Sequence, residues 1–242
     1  MGKHQKRIAA PRSWKIARKT LYWAVKSKQG PHPQDRSMPL LLIVRDMLKL
    51  ADNSSEAKRI LNEGNVVVNG KVRKDHKFPV GVFDILSIPL VKANYMVLLD
   101  RKDKLSLVEI GKRAASKKLC RVNGKRIKKE GAIQLNLHDG RNILPGESGT
   151  SVNTHDSLLI SIPDNEIVKH FAYKEGSKVV VIGGKHSAQT GEIEEIRVVR
   201  SSQPNVVRIK SMEGEESFES REDSVFVVGE KKIEVPGLAN VA

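Results

Sequence analysis

Asp52-Asn53-Ser54-Ser55-Glu56-Ala57-Lys58-Arg59-Ile60-Leu61-Asn62-Glu63-Gly64, followed after one residue by Val66-Val67-Val68-Asn69-Gly70-Lys71-Val72-Arg73, is the stretch on which the fold turns. Asn53 can cap a helix, Glu56 stands three residues on as in a capping box, and Gly64 supplies the stop. Capping also accounts for Asn53-Ser54-Ser55, which formally matches a glycosylation acceptor. Ala57, Ile60 and Leu61 fall at i, i+3 and i+4, so Lys58 and Arg59 project largely off the apolar face. The valines, the Asn-Gly pair and the returning Lys71-Val72-Arg73 carry the strongest short hairpin signal a sequence offers. That return is basic, with Lys71, Arg73, Lys74 and Lys77. Just upstream, Leu40-Leu41-Leu42-Ile43-Val44-Arg45-Asp46-Met47-Leu48-Lys49-Leu50 reads as a buried helix whose polar edge is Arg45, Asp46 and Lys49. Two helices and a basic hairpin then offer positive charge from three elements to one surface.

The rest of the chain sharpens that picture through its charge. Of 242 residues, 43 are Lys or Arg and 28 are Asp or Glu, a net +15 that points to a polyanionic partner, nucleic acid or an anionic membrane surface. The length suits one or two ordinary domains, or several small ones. Residues 1–37 hold ten basic residues against one acidic, whereas 173–242 hold ten against twelve. With Pro11, Gly30, Pro31 and Pro33, the first segment has too few apolar residues for a core and reads as an arm that orders on its partner. Trp14, Tyr22 and Trp23 lie among Arg12, Lys15, Arg18, Lys19 and Lys26, a mixture suited to stacking on unpaired bases while neutralising phosphate. No run approaches the ~20 apolar residues of a membrane span, and the basic N-terminus lacks a signal peptide's apolar core, so a soluble intracellular chain is expected. Cys120 stands alone, which excludes an intrachain disulfide and a cysteine-based zinc cluster.

Beyond residue 88 the texture is of short strands between Asp, Gly, Asn and Pro turns. Strands are expected at 95–99 and 104–110 around the turn Asp100-Arg101-Lys102-Asp103, then at 132–137 and 156–162. Arg121-Val122-Asn123-Gly124-Lys125-Arg126-Ile127 repeats the Val-Asn-Gly-Lys pattern and predicts a second hairpin. From Gly176 an alternating strand ends in Ile182-Gly183-Gly184-Lys185, followed by a polar turn and Gly191-Glu192-Ile193-Glu194-Glu195-Ile196. Strands at 206–209 and 225–228 would complete that module.

Enzymatic motifs are missing. Gly183-Gly184-Lys185 lacks phosphate-loop spacing, the seven histidines show no metal-ligand spacing, and His138-Asp139-Gly140-Arg141 is most simply a turn between strands.

The capped helix ending in Asn62-Glu63-Gly64 and the Val66-x-Val68-Asn69-Gly70-Lys71-Val72 hairpin resemble the S-four type of RNA-binding domain, over residues 38 to about 86. The 176–196 stretch resembles the KOW motif of small β-barrels, with Ala188 where that pattern often has glycine. His4-Gln5-Lys6-Arg7-Ile8-Ala9-Ala10-Pro11-Arg12-Ser13-Trp14-Lys15-Ile16 resembles the opening of the S-four-e family of small-subunit ribosomal proteins from archaea and eukaryotes. The resemblance covers essentially the whole chain. It implies an α+β multi-domain protein with a basic N-terminal RNA-binding arm (1–37), an S-four domain of helices and a hairpin (38–88), a central mostly β domain (89–172) and a C-terminal KOW-type small β-barrel (173–242). The implied role is a structural and assembly constituent of the small ribosomal subunit. Its expected partners are small-subunit ribosomal RNA and neighbouring ribosomal proteins; no catalysis, cofactor, metal, membrane, small-molecule substrate or homo-oligomer is expected, and the expected location is cytoplasmic and ribosome-bound. The expected RNA contacts are His4, Lys6, Arg7, Arg12, Trp14, Lys15, Arg18 and Lys19 in the arm, with Trp14 stacking or wedging. Arg45, Lys49, Lys58, Arg59, Lys71, Arg73, Lys74 and Lys77 are expected on the helices and hairpin, and Lys112, Arg113, Lys117, Lys118, Arg121, Lys125, Arg126, Lys128 and Lys129 in the central segment. Two rivals share parts of the pattern: a KOW-containing transcription or antitermination factor, and an RNA-modifying assembly factor for which Asp139 is the best acid.

Overall fold

Asn53 caps the helix Ser54–Asn62 as its spacing predicts: its side chain accepts a hydrogen bond from the Glu56 N–H at 2.8 Å, while Glu56 accepts from the Asp52 N–H at 3.0 Å. This comes from a computed structural model of the chain, which describes residues 4–129, 131–212, 214, 216–235 and 238. Ala57 and Leu61 are fully buried, and Lys58 and Arg59 are exposed. The hairpin pairs Val67–Val68 with Lys71–Val72, and Asn69 and Gly70 take the positive φ values of 50° and 75° that a twisted two-residue turn demands.

The expected helix over 40–50 is shorter and wider than a regular one. A single α-helical turn, Leu40–Leu42, opens into a π-type turn over Ile43–Met47, where the Leu48 N–H donates to the Ile43 carbonyl, and Lys49 then leaves at a φ of 53°. All five residues from Leu40 to Val44 are buried.

The chain divides into two compact units, residues 1–98 with 104–116, and 99–103 with 117–242. In the first, a five-stranded sheet runs in the order Lys71–Val72, Val67–Val68, Ile85–Ile88, Ala93–Leu99, Leu105–Glu109. Its last two strands were expected within a central β domain. Instead Ile85–Ile88 pairs with Ala93–Leu99, so they extend the hairpin's own sheet.

Residues 4–37 are likewise part of this unit, which corrects the reading of an arm that takes form on its partner. Gln5–Lys6 pairs with Trp23–Ala24, the Trp14 indole N–H donates to the Ser37 carbonyl, and the Leu105 N–H donates to the Ser13 carbonyl. A buried polar knot fixes its far end. Asp84, fully buried, accepts from the Asn69 amide at 2.8 Å and from the Gly81 N–H at 2.8 Å, and the buried His32 ring lies 3.0 Å away. Asn69 in turn accepts from the Ile85 N–H. A Cβ on Gly81 would run into the His32 ring, so glycine is required where the backbone meets that side chain. Asp84→Asn, which turns one acceptor into a donor facing the Gly81 N–H, is expected to cost about 2 kcal/mol in a thermal melt of the full chain; an unchanged melt would show the knot to be energetically idle.

The second unit holds two five-stranded antiparallel sheets. One is ordered Asn142–Ile143, Ile133–Leu137, Lys117–Ile127, Ser157–Ser161, Ile167–Phe171, with Cys120, Val122, Leu135, Leu137, Val152, Leu158 and Ile160 in its core. Its longest strand overturns the second hairpin. Neither Asn123 nor Gly124 takes positive φ, and the repeat is absorbed as a bulge between Val122 and Gly124 in a continuous strand.

The other sheet is ordered Ser217–Arg221, Val206–Ser211, Thr190–Arg197, Lys178–Val181, Val225–Gly229. Its two edge strands are consecutive in sequence, joined only by Glu222–Ser224. Four strand spacings in a flat sheet are about 19 Å, more than the roughly 14 Å that this link can span. The sheet must therefore curl strongly, yet its edges share no ladder, so the closed barrel expected here is not seen. Gly183 and Gly184 make the tight turn at φ values of 97° and 84°, and Ala188 is held at a φ of 62°. Since left-handed backbone costs a residue with a Cβ roughly 1–2 kcal/mol, Ala188→Gly is expected to raise the melting free energy by about 0.5–1 kcal/mol after glycine's own entropy is counted. A lower melting temperature would contradict that strain.

Candidate nucleic-acid interface

The first unit gathers positive charge from three separate stretches. Helix Ser54–Asn62 supplies Lys58, the segment after the hairpin supplies Lys77, and the N-terminal segment supplies Lys26; with the imidazoles of His4 and His76 they line one cleft of about 220 Å³ beside Trp23. Among the described residues no Asp or Glu lines it. Burial and the neighbouring charge of Lys58, reinforced by Lys77, hold the His76 pKa below the usual histidine value against the opposing pull of Asp75. A second cleft of about 420 Å³ carries Lys28, Arg73 and Lys74 beside Phe78, with the Arg73 guanidinium 4.5 Å from that ring. Here Asp75 is paired with Lys28 at 3.3 Å. Burial raises the Asp75 pKa, but hydrogen bonds from the Lys77 backbone and the Lys28 side chain outweigh it, so the net shift is downward.

The sequence-predicted residues separate by burial. His4, Lys6, Arg12, Lys15, Lys19, Lys49, Lys58, Arg59, Lys71, Lys74, Lys77, Lys112, Arg113, Lys117, Arg126, Lys128 and Lys129 are exposed. Arg73 is half-buried against Phe78. Seven others are structural. Trp14 is 1% exposed, which overturns its assignment as a stacking residue. Arg7, at 2%, donates to the Ala17 carbonyl and to Asp46; Arg18 donates to the carbonyls of Ile8, Ala10 and Pro11; Arg45 donates to Ser54 and Asp46. In each case orphan backbone or carboxylate acceptors within the fold claim the cation.

The second unit does the same with three more. Lys118 is fully buried, its ammonium 2.7 Å from Asp139, which Arg141 also approaches at 3.2 Å. Burial pushes the Asp139 pKa up, but the charge and hydrogen bond of Lys118, with His138 and Arg141, outweigh it and hold the carboxyl at about 2. Arg121 lies over the Phe226 ring at 4.5 Å and donates to the carbonyls of Asp223 and Val225, so it joins the two sheets of this unit. Lys125 donates to the carbonyls of Thr150 and Val152.

Sequence reasoning left His76 and Lys26 out of the site, and placed Trp23 only among the arm's aromatics. Its signal was the adjacent Tyr22-Trp23 pair beside a lysine; what separates it from Trp14 is that Trp23 is 53% exposed.

Known proteins supply the family. Over 237 residues, 98% of each chain, the sequence is 46% identical to small ribosomal subunit protein eS4 of Methanocella arvoryzae. The chain belongs to the ribosomal S4e family. Its profile, Ribosomal family S4e, matches residues 91–167, the RS4NT (NUC023) domain matches 1–35, and the S4 domain matches 38–86. Small ribosomal subunit protein eS4 of Archaeoglobus fulgidus is 44% identical over 96% of both chains. The S4e fold is shared with the crystal structure of the 30S ribosomal protein S4e from Thermoplasma acidophilum, which aligns with a TM-score of 0.69 at 36% identity over 82% of this chain and 98% of that one.

Proposed function

We propose that this S4e chain is a structural constituent of the small ribosomal subunit that binds small-subunit ribosomal RNA and supports subunit assembly and translation. The observation that carries the reading is near-full-length identity of 42–46% to proteins named as small ribosomal subunit protein eS4. The fold agrees with it: exposed cations from the N-terminal segment, the capped helix and the hairpin share one unit, and shape and backbone charge are how structured RNA is gripped. Functionally, 1–37 and 38–88 act together as the RNA-binding half, 89–172 adds basic strands, and 173–242 is a KOW-type module that faces neighbouring proteins or RNA. The protein works in the cytoplasm, on the ribosome. Asp139, the best acid for an RNA-modifying reading, is engaged by Lys118 and Arg141, which favours a structural role over a chemical one.

Sedimentation of a cell extract through sucrose at low and then elevated salt tests this. One copy per small subunit, retained in mature ribosomes through a salt wash, is the expected result. Recovery with RNA polymerase, or only on immature particles, would overturn it.

A further inference from the structure

The cleft beside Trp23 combines features that simple phosphate neutralisation does not require. Trp23, which lines the cleft, is 53% exposed, and Tyr22, outside the lining and with the Lys6 ammonium 5.6 Å from its ring, meets the indole edge to face at 4.7 Å. Covering an aromatic face is worth more than leaving it in water, so the exposed Trp23 indole at the cleft is a platform on which a flat ring gains by stacking. The pairing of Lys6 with Trp23 fixes the ring's strand, and the His4 ring stands 5.6 Å from it on the partner strand's side. Lys58 and His76, from different elements, line the same cleft with Lys77 and Lys26, and no carboxylate lines it among the described residues. At about 220 Å³ the cleft lies below the roughly 300–1,000 Å³ typical of drug-sized ligands, which suits one flat ring.

We infer that this cleft is a nucleotide pocket that takes one unpaired base of a single-stranded RNA segment against Trp23, with the adjoining phosphates on Lys58 and Lys77. The inference rests on the RNA-binding role proposed above and adds to it a definite site and a preference for unpaired over duplex RNA. Duplex bases are already stacked and cannot reach an aromatic platform, while every unpaired base has a face to offer. Burial is the main cause of the lowered His76 pKa, and the Lys58 and Lys77 charges that add to it are the ones a phosphate would meet on arrival.

The test is a titration of the full chain with single-stranded octa-adenylate and, separately, with an RNA duplex of equal phosphate number, followed by tryptophan emission. Trp14 is buried and gives a constant background. Octa-adenylate is expected to quench the emission of the exposed indole, and the duplex to leave it unchanged. Trp23→Ala should remove the quenching and weaken octa-adenylate binding about tenfold, Trp23→Phe should restore most of that affinity, and duplex binding should not change in either. Circular dichroism of both variants checks that the fold is intact. Absence of quenching in the unaltered chain, or equal affinity of Trp23→Ala and the parent for octa-adenylate, overturns the pocket. Parallel binding to transcribed small-subunit ribosomal RNA separates the two ideas: retained binding there with no quenching removes the pocket alone, whereas lost binding there with quenching retained removes the ribosomal reading alone.

Discussion

Replacing Lys118 with methionine is expected to destabilise the second unit by about 4 kcal/mol at neutral pH, because it leaves the Asp139 carboxylate buried with its nearest cation gone. Arg141, its side chain 26% exposed and 3.2 Å away, compensates only in part. A calorimetric scan of the full chain should show a transition lowered by about 10 °C. Lys118→Met combined with Asp139→Leu should recover most of the loss, since an apolar pair of similar size removes both desolvation costs. The pH dependence gives a second reading. In the parent the folded pKa lies below the unfolded one, so the pair's contribution is complete above about 4 and fades as pH falls toward about 2. Without Lys118, burial dominates and the folded pKa rises, so the penalty should shrink as pH is lowered from 7 to 4. A penalty independent of pH, or a variant as stable as the parent, would refute the role assigned to this pair.

Changing Lys58, Lys71, Lys74 and Lys77 together to glutamine is expected to lower affinity for small-subunit ribosomal RNA about a thousandfold near 0.1 M salt. Each phosphate neutralised contributes about 0.7–0.9 to the slope of log affinity against log salt, so the slope should also become shallower by about three. All four are exposed in the first unit, and none is a buried partner of the kind that holds the fold. Arg197→Gln is the matching control. That arginine lies in the acidic part of the chain and already faces Glu195 and Glu219 at 3.2 and 3.1 Å, so its loss should leave RNA affinity within about twofold. Filter binding across a salt series reads both. An unchanged slope in the quadruple variant would move the interface elsewhere.

Local rules made the capped helix and the Asn69-Gly70 hairpin legible, because every residue they need lies within twenty positions. The order of the N-terminal segment was not legible, since it depends on Trp14 finding Ser37 and His32 finding Asp84, contacts whose partners no local pattern names. The second Val-Asn-Gly misled for a related reason: an Asn-Gly pair permits a turn, but strand partners on both sides of Lys117–Ile127 held it extended. Among the candidate RNA contacts, composition could not tell an outward lysine from an inward one. A signal was present, because Lys118 shares strand parity with Cys120 and Val122, which enter the core, whereas Lys117 does not. Arg121 carries no such mark, as the carbonyls that anchor it to the other sheet lie more than a hundred residues downstream.

The three-residue link Glu222–Ser224 has a consequence for the order of events during synthesis. Lys178–Val181 sits inside its sheet and waits for Val225–Gly229 on one side, so that sheet stays incomplete until residue 229 has left the ribosome. The first unit is drawn from residues no later than 116. The strongly basic first unit can therefore form and hold RNA while the net-acidic segment 173–242 is still a nascent chain, and the growing protein is captured by its nucleic acid before its most like-charged portion has emerged.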